Sequence, residues 1–212
     1  MDKNAHEAFR TAGNIEIIAN GVDLDYFKPQ QVACNPKKIV YLGNFHSFPN
    51  RDGVLFFYEK IFPQVLAAIP DVQFYIVGIN PPEKLLSLKD DKNIFITKDV
   101  EDIRIYLRDA AALVCPLRVG AGIQNKILEA MAMGIPVVTT TLGTLWLSEE
   151  GKKTVLIADS PCDFAAELIS LMKSAEKRNM YAQQGRLFVE KYFSWELNMN
   201  KLEILIKRKD SN

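Results

Sequence analysis

The residues best suited to chemistry stand in one short stretch, PLRVGAGIQNKILEAMAMGIPVVTT, residues 116–140. Gly120 and Gly122 bracket Ala121 in a turn that runs through Ile123 into a helix. Glycine at such positions lets the backbone take positive φ and come close to a ligand. The helix, read from about Ile123 to Met133, offers unpaired N–H groups and the positive end of its dipole, which together favour an anion. Lys126 sits one turn in, where its ammonium can reach a phosphate as a point charge. Glu129 follows at i+3 and lies on the same helical face. A carboxylate there can accept two hydrogen bonds from a vicinal diol such as a ribose. Arg118 adds a cation just before the turn. The combination fits a nucleotide.

Taken singly, each of these features has an ordinary explanation. Gly-x-Gly turns often precede helices that bind nothing, and Lys126 with Glu129 could be a surface pair worth about 0.2–0.5 kcal/mol. Gly134 before Ile135-Pro136 reads as a helix stop, and Ala130, Met131 and Met133 as helix formers and core filler.

The elements around this stretch alternate. NIEIIAN (14–20), KIVYLGN (38–44), DVQFYIVG (71–78), NIFIT (93–97), AALVCP (111–116), IPVVTT (135–140) and TVLIA (154–158) read as strands. Helical stretches fall at 51–69, 83–88, 101–109 and 123–133, and three more close the chain at 161–175, 177–191 and 194–208. In the first, Val54, Phe57, Tyr58 and Ile61 mark a buried face with Tyr58 at its edge, and Pro63 is expected to kink or divide it. Strand–helix–strand units of this length demand parallel pairing through crossovers. The expected fold is α/β, a doubly wound, mostly parallel sheet of about six strands with helices on both faces. Ligands then bind at the carboxyl ends of the strands, in the loops after Gly43, Gly78, Thr97, Pro116 and Thr140.

With 26 Lys and Arg against 26 Asp and Glu there is no net field to attract nucleic acid or an anionic membrane. Cys34, Cys115 and Cys162 are far apart, and with His6 and His46 as the only imidazoles no metal site is expected. Cys115 ends an apolar run and reads as core. No apolar run approaches the roughly 20 residues that span a bilayer, and the usage fits a reducing cytoplasm, with room for peripheral membrane attachment through other parts of the protein. Residues 1–13 are polar and patternless and read as a boundary leader; 14–193 form the domain and 194–212 a closing helix.

The whole string 126–140, KILEAMAMGIPVVTT, resembles the signature of family 4 retaining glycosyltransferases, whose GT-B fold pairs two Rossmann-like domains. ANGVDLDYFKP (19–29) resembles the family's Asn-Gly-Val-Asp segment at the entry to the donor domain. LGNFHSFPNRDGVLFFYEKIFP (42–63) is similar to the glycine loop and helix of one branch. DVQFYIVG resembles the third conserved strand, and FSWELNMNKLEIL (193–205) the closing helix that crosses to the other domain. The likeness runs from about residue 15 to 207, in order.

This resemblance implies the C-terminal, donor-binding half of a GT-B enzyme that transfers a hexose-type sugar from a UDP- or GDP-sugar with retention. The diphosphate would lie at the helix N-terminus with Lys126, the ribose on Glu129, and Gly122 against the phosphate or sugar. Gly43 and Asn44 would face the same cleft, Thr140, Thr141 and Gly143 its other wall, and Lys98, Asp99 and Val100 the base. No cofactor beyond the donor is implied. The acceptor, a sugar or a lipid-linked one, would be held by an N-terminal domain not in this chain, without which the fragment would be inactive. Two departures stand out. The first glutamate of the family's pair falls on Ala121, which cannot carry a carboxylate's role near the donor sugar. The usual phosphate-gripping Arg and Lys of the cleft loops are reduced to Arg51, with Arg118 and Lys126 on the opposite loop. A nucleotide-sugar epimerase of GT-B type and a non-enzymatic flavodoxin-like binding module are the alternative readings.

Overall fold

The computed structural model describes residues 18–87, 91–98, 100–120 and 122–209. Among the described residues six strands form one sheet: β1 (Asn35–Asn44), β2 (Gln73–Ile79), β3 (Ile94–Ile96), β4 (Ala110–Cys115), β5 (Val137–Thr139) and β6 (Leu156–Ile157). Every pairing is parallel, in the order β3-β2-β1-β4-β5-β6. Around it stand α1 (Phe48–Phe56), α2 (Phe62–Ala68), α3 (Glu83–Leu86), α4 (Arg104–Leu107), α5 (Asn125–Ala132), α6 (Glu149–Lys152), α7 (Pro161–Lys173), α8 (Ala175–Tyr192) and α9 (Trp195–Lys209). The expected doubly wound α/β sheet is what forms.

A parallel sheet must be covered on both faces, so its central strands carry apolar residues at successive positions. Because side chains alternate across a strand, β1 sends Ile39 and Tyr41 to one core and Val40 and Leu42 to the other. Likewise β4 divides Ala112 and Val114 from Leu113 and Cys115. The first core is closed by Phe57, Ile61 and Val65 and by Phe164 and Leu168 of α7; the second by Ile127 and Met131 of α5 and Phe188 and Val189 of α8. Both α7 and α8 start where they do because a serine caps them. Ser160 Oγ accepts from the Asp163 amide at 3.1 Å and Ser174 Oγ from the Lys177 amide at 3.1 Å.

The expected break at Pro63 takes the form of a π-helical turn, Phe57–Ile61, between α1 and α2. Proline supplies no N–H, and the Phe62 amide reaches Phe57 O instead, so the ladder slips by one residue while Phe57 and Ile61 stay buried. The expected strand at 14–20 is corrected: residues 14–17 lie outside the described residues, and 18–20 are not strand. Among the described residues β3 and β6 form the edges of the sheet, and residues 20–22 are tied instead to the stretch where α8 passes into α9. The Val22 amide donates to Phe193 O at 2.7 Å, and Asn198 Nδ2 to Asn20 O at 3.4 Å. The 1–13 leader is likewise outside the described residues.

Arg186 of α8 fastens the same segment to α5. Its Nη1 donates to Phe27 O at 3.0 Å and to Ala132 O at 2.6 Å, and its Nε pairs with Glu190 at 2.6 Å. Ala132 O is one of the carbonyls that a helix end leaves without an internal partner. Arg186→Met is therefore expected to cost about 1.5–3 kcal/mol, the range for hydrogen bonds to a charged donor. Hydrogen exchange should show residues 22–28 losing protection while β1 and β4 keep theirs; uniform loss across the domain would contradict this anchoring role.

Candidate functional site

The strand order reverses between β1 and β4, and in such sheets ligands bind at the carboxyl ends of the strands beside that reversal. A cavity of about 430 Å³ lies there. Its walls are the ends of β1 (Leu42, Gly43, Asn44) and β2 (Val77, Gly78, Ile79), with Val100, Ile103 and Asn50. Asn125, Lys126 and Glu129, from the first turns of α5, complete it.

Close backbone packing makes this wall possible. Gly78 has φ +150°, and a Cβ there would stand 1.8 Å from Gly43 O. Only a residue without a side chain lets the two strand ends meet at that register, where Gly43 and Gly78 are paired. Asn80, at φ 54°, then turns the chain away, a conformation asparagine tolerates better than most residues.

The N-terminus of α5 carries no side-chain cap, since Gln124 at the N-cap position makes no such bond. Lys126 Nζ donates to Asn50 Oδ1 at 2.5 Å and lies 5.1 Å from the centroid of the buried Tyr41 ring. Burial pushes its ammonium pKa down, against the opposing pull of Cys115 and Glu129. Burial also pushes the Glu129 carboxyl up, partly offset by Lys126. Glu129 divides the main cavity from a smaller one of about 200 Å³, which it shares with Asp23, Phe27 and Trp195. A cation and a carboxylate thus stand one helical turn apart, each paying for desolvation, without an ion pair to each other. That arrangement is costly unless a ligand completes it.

Of the residues singled out in the sequence, Gly43, Asn44, Lys126 and Glu129 line this one cavity. Gly120 (φ +122°) and Gly122 (φ +87°) both use the positive φ that the turn requires, and a Cβ on Gly122 would meet nothing within 4 Å. Ile123 packs against the second core, and Ala121 lies outside the described residues, as does Asp99. Arg118 is held elsewhere: its guanidinium grips Asp52 at 3.0 and 2.5 Å and lies 4.2 Å from the centroid of the Phe56 ring. Arg51 Nη1 donates to Phe45 O at 3.1 Å and His46 O at 2.8 Å, bracing the loop after β1.

Thr140 and Thr141 do not line the cavity either. Thr140 Oγ1 donates to Leu117 O at 2.5 Å, and Thr141 donates through its amide and hydroxyl to Asp159 at 2.8 and 2.7 Å. Thr140 thus ties the loop after β5 to the loop after β4, and Thr141 ties it to the loop after β6. Val100, of the three residues expected near a base, is in the cavity wall. Sequence reasoning missed Asn50 and Tyr41. The local signal was the Pro49-Asn50 pair in the first turn of α1, and nothing local says that Asn50 meets Lys126, 76 positions away.

Comparison with known proteins agrees with this architecture. Residues 36–174 match the family described as Glycosyl transferases group 1. A GDP-mannose-dependent monoacylated alpha-(1-6)-phosphatidylinositol monomannoside mannosyltransferase from Corynebacterium glutamicum is 27% identical over 224 residues, covering 94% of this chain and 58% of the relative. Sucrose-phosphate synthase from Thermosynechococcus elongatus superposes with a TM-score of 0.78 at 19% identity, over 99% of this chain and 56% of that one. Anabaena HepE in complex with UDP superposes with a TM-score of 0.73 at 16% identity, over 91% of this chain and 57% of that one. The chain spans about half the length of the curated relatives it matches. Since the family match runs unbroken from the first sheet strand to the end of α7, the chain belongs to the group 1 glycosyl transferases.

Proposed function

We propose that this chain is the donor-binding domain of a retaining glycosyltransferase that uses a UDP- or GDP-sugar carrying a hexose. The observation that carries the reading is the desolvated Lys126–Glu129 pair in one cavity at the strand reversal. In this reading the diphosphate rests at the uncapped N-terminus of α5, with the Lys126 ammonium as its point charge. The ribose hydroxyls donate to the Glu129 carboxylate, and the base lies against Val77, Val100 and Ile103. As the bond to the sugar breaks, negative charge grows on the departing nucleotide diphosphate. The helix dipole and Lys126 are fixed in advance to stabilise it. No cofactor beyond the donor is assigned, and no nucleic acid partner.

The acceptor, a sugar or a lipid-linked one, and the remaining reacting geometry belong to a second domain that closes over this cleft. That domain has a surface to pack on: α9 exposes Trp195, Met199, Leu202 and Ile206, spaced to fall along one side of the helix. Among the described residues no helix is long and apolar enough to cross a membrane. The identity of a UDP-bound structural neighbour and a GDP-mannose-dependent relative supports a nucleoside diphosphate as the ligand, without choosing between the bases.

Thermal melting of this chain with UDP and with GDP tests the proposal. At one hundred times the dissociation constant, a nucleotide that fits should add about 2.7 kcal/mol of apparent stability. Lys126→Met should weaken that binding about tenfold or more, as expected for loss of a charge-assisted contact. No stabilisation by either nucleotide, or full affinity in Lys126→Met, would refute the assignment.

A further inference from the structure

Asn50 sits in the first turn of α1 and is held from both sides. Its backbone carbonyl accepts from the buried Tyr41 hydroxyl at 3.0 Å, and its side-chain Nδ2 donates to Asn44 O at 2.9 Å. That second bond fixes the amide's orientation, so Oδ1 must face the opposite way, where it accepts from Lys126 Nζ at 2.5 Å. Below the ammonium lies the face of the Tyr41 ring. The Gly53 position keeps this seat in place: a Cβ there would come within 2.7 Å of the Tyr41 hydroxyl. Lys126 thus rests against two neutral groups, the Asn50 amide oxygen of α1 and the Tyr41 ring of β1.

We infer that Asn50 is a positioning residue for the Lys126 ammonium, a neutral clamp that aims the cation at the diphosphate without neutralising it. The role rests on the donor-site reading above. An ammonium has three N–H donors; Asn50 takes one and leaves the others for phosphate oxygens. An aspartate in the same place would form an ion pair and cancel the charge the ligand needs, which gives the amide a reason to be there. The groups facing Lys126 are Tyr41 from β1, Cys115 from β4 and Glu129 from its own helix; Asp52 of α1 acts on Tyr41 and is itself paired with Arg118.

Two readouts separate this role from a merely structural one. The first needs no nucleotide: the titration of Lys126, followed by NMR of 13Cε-labelled lysine in this chain. Asn50→Ala removes an acceptor that favours the charged form, so the Lys126 midpoint should move down; Asn50→Asp adds a carboxylate, so it should move up. The second is a double-mutant cycle on UDP or GDP affinity. Asn50→Ala should weaken binding about tenfold in the wild-type background. In the Lys126→Met background it should do almost nothing, since coupled residues are not additive. Asn50→Asp replaces alanine in the cycle if the latter fails to fold. A Lys126 midpoint unmoved in both variants, or additive effects on affinity, would overturn the clamp. Absence of nucleotide binding to the unaltered chain would instead sink the donor-site reading, and the titration would still decide the clamp.

Discussion

Glu129→Gln should bind UDP or GDP about 10–100-fold more weakly than the unaltered chain, and yet melt at a higher temperature. The two halves of this expectation share one cause. In the free protein the Glu129 carboxylate is partly stripped of water and finds only the distant pull of Lys126, so its proton is held more tightly than in an exposed glutamate. Between the ordinary glutamate pKa, about 4.3, and the raised native value, the folded state keeps a proton the unfolded chain has released. Stability conferred by this site thus falls as pH rises through that window and stays lower above it. Glutamine keeps the shape and removes the charge. A gain of 1 kcal/mol would appear as about 2–4 °C in Tm for a domain of this size.

The same carboxylate is what a ribose diol needs, since it accepts two hydrogen bonds and gives none. Affinity should accordingly decline as pH falls through the raised Glu129 pKa, and that acid limb should vanish in Glu129→Gln. Calorimetric titrations at several pH values, beside melting curves of the free proteins, read both effects. A variant that loses affinity and stability together would mean that Glu129 serves the fold rather than the ligand.

Gly78→Ala should be among the most destabilising single substitutions in the molecule. The added Cβ would stand 1.8 Å from Gly43 O, well inside contact distance, at a φ of +150° that alanine rarely adopts. Neither strand can yield cheaply, because Leu42, Val77 and the residues around them pack in the second core. The expected cost is about 4 kcal/mol, in the range reserved for core clashes and strained backbone. At about 2–4 °C per kcal/mol, Tm falls by at least about 8 °C. Any folded remainder should bind nucleotide poorly, because the Gly43 and Gly78 strand ends form the cavity wall. A melting temperature within about 2 °C of the unaltered chain would show that the β1–β2 ends are looser than their register implies.

Much of the fold was legible because its signals are local. Apolar runs bounded by glycine and proline mark the central strands, and strands separated by helices can pair only in parallel. Their ends were less so: the helix expected over 101–109 keeps regular form only at Arg104–Leu107, and α6 carries no apolar period long enough to announce it. The 18–20 segment was misjudged because an apolar run signals burial without saying against what. Here a bond from Asn198, far along the chain, to Asn20 O, and one from the neighbouring Val22 amide to Phe193 O, tie it away from the sheet.

The site divides along the same line. By itself the sequence determined that Lys126 and Glu129 share a face behind a glycine turn, because residues three apart on a helix are neighbours whatever else surrounds them. Tertiary structure alone decided which cations are free for a ligand. Arg118 and Arg51 read like Lys126 in the chain, but Asp52 takes one and the carbonyls of Phe45 and His46 take the other. Lys126 rests on an amide oxygen and an aromatic face, and among the described residues it makes no ion pair. That distinction rests on contacts between β1, α1 and α5, elements distant in sequence, and on the loss of water around them. Neither partner choice nor desolvation is a property of any residue type or spacing; both arise only when the strands bring these helices together.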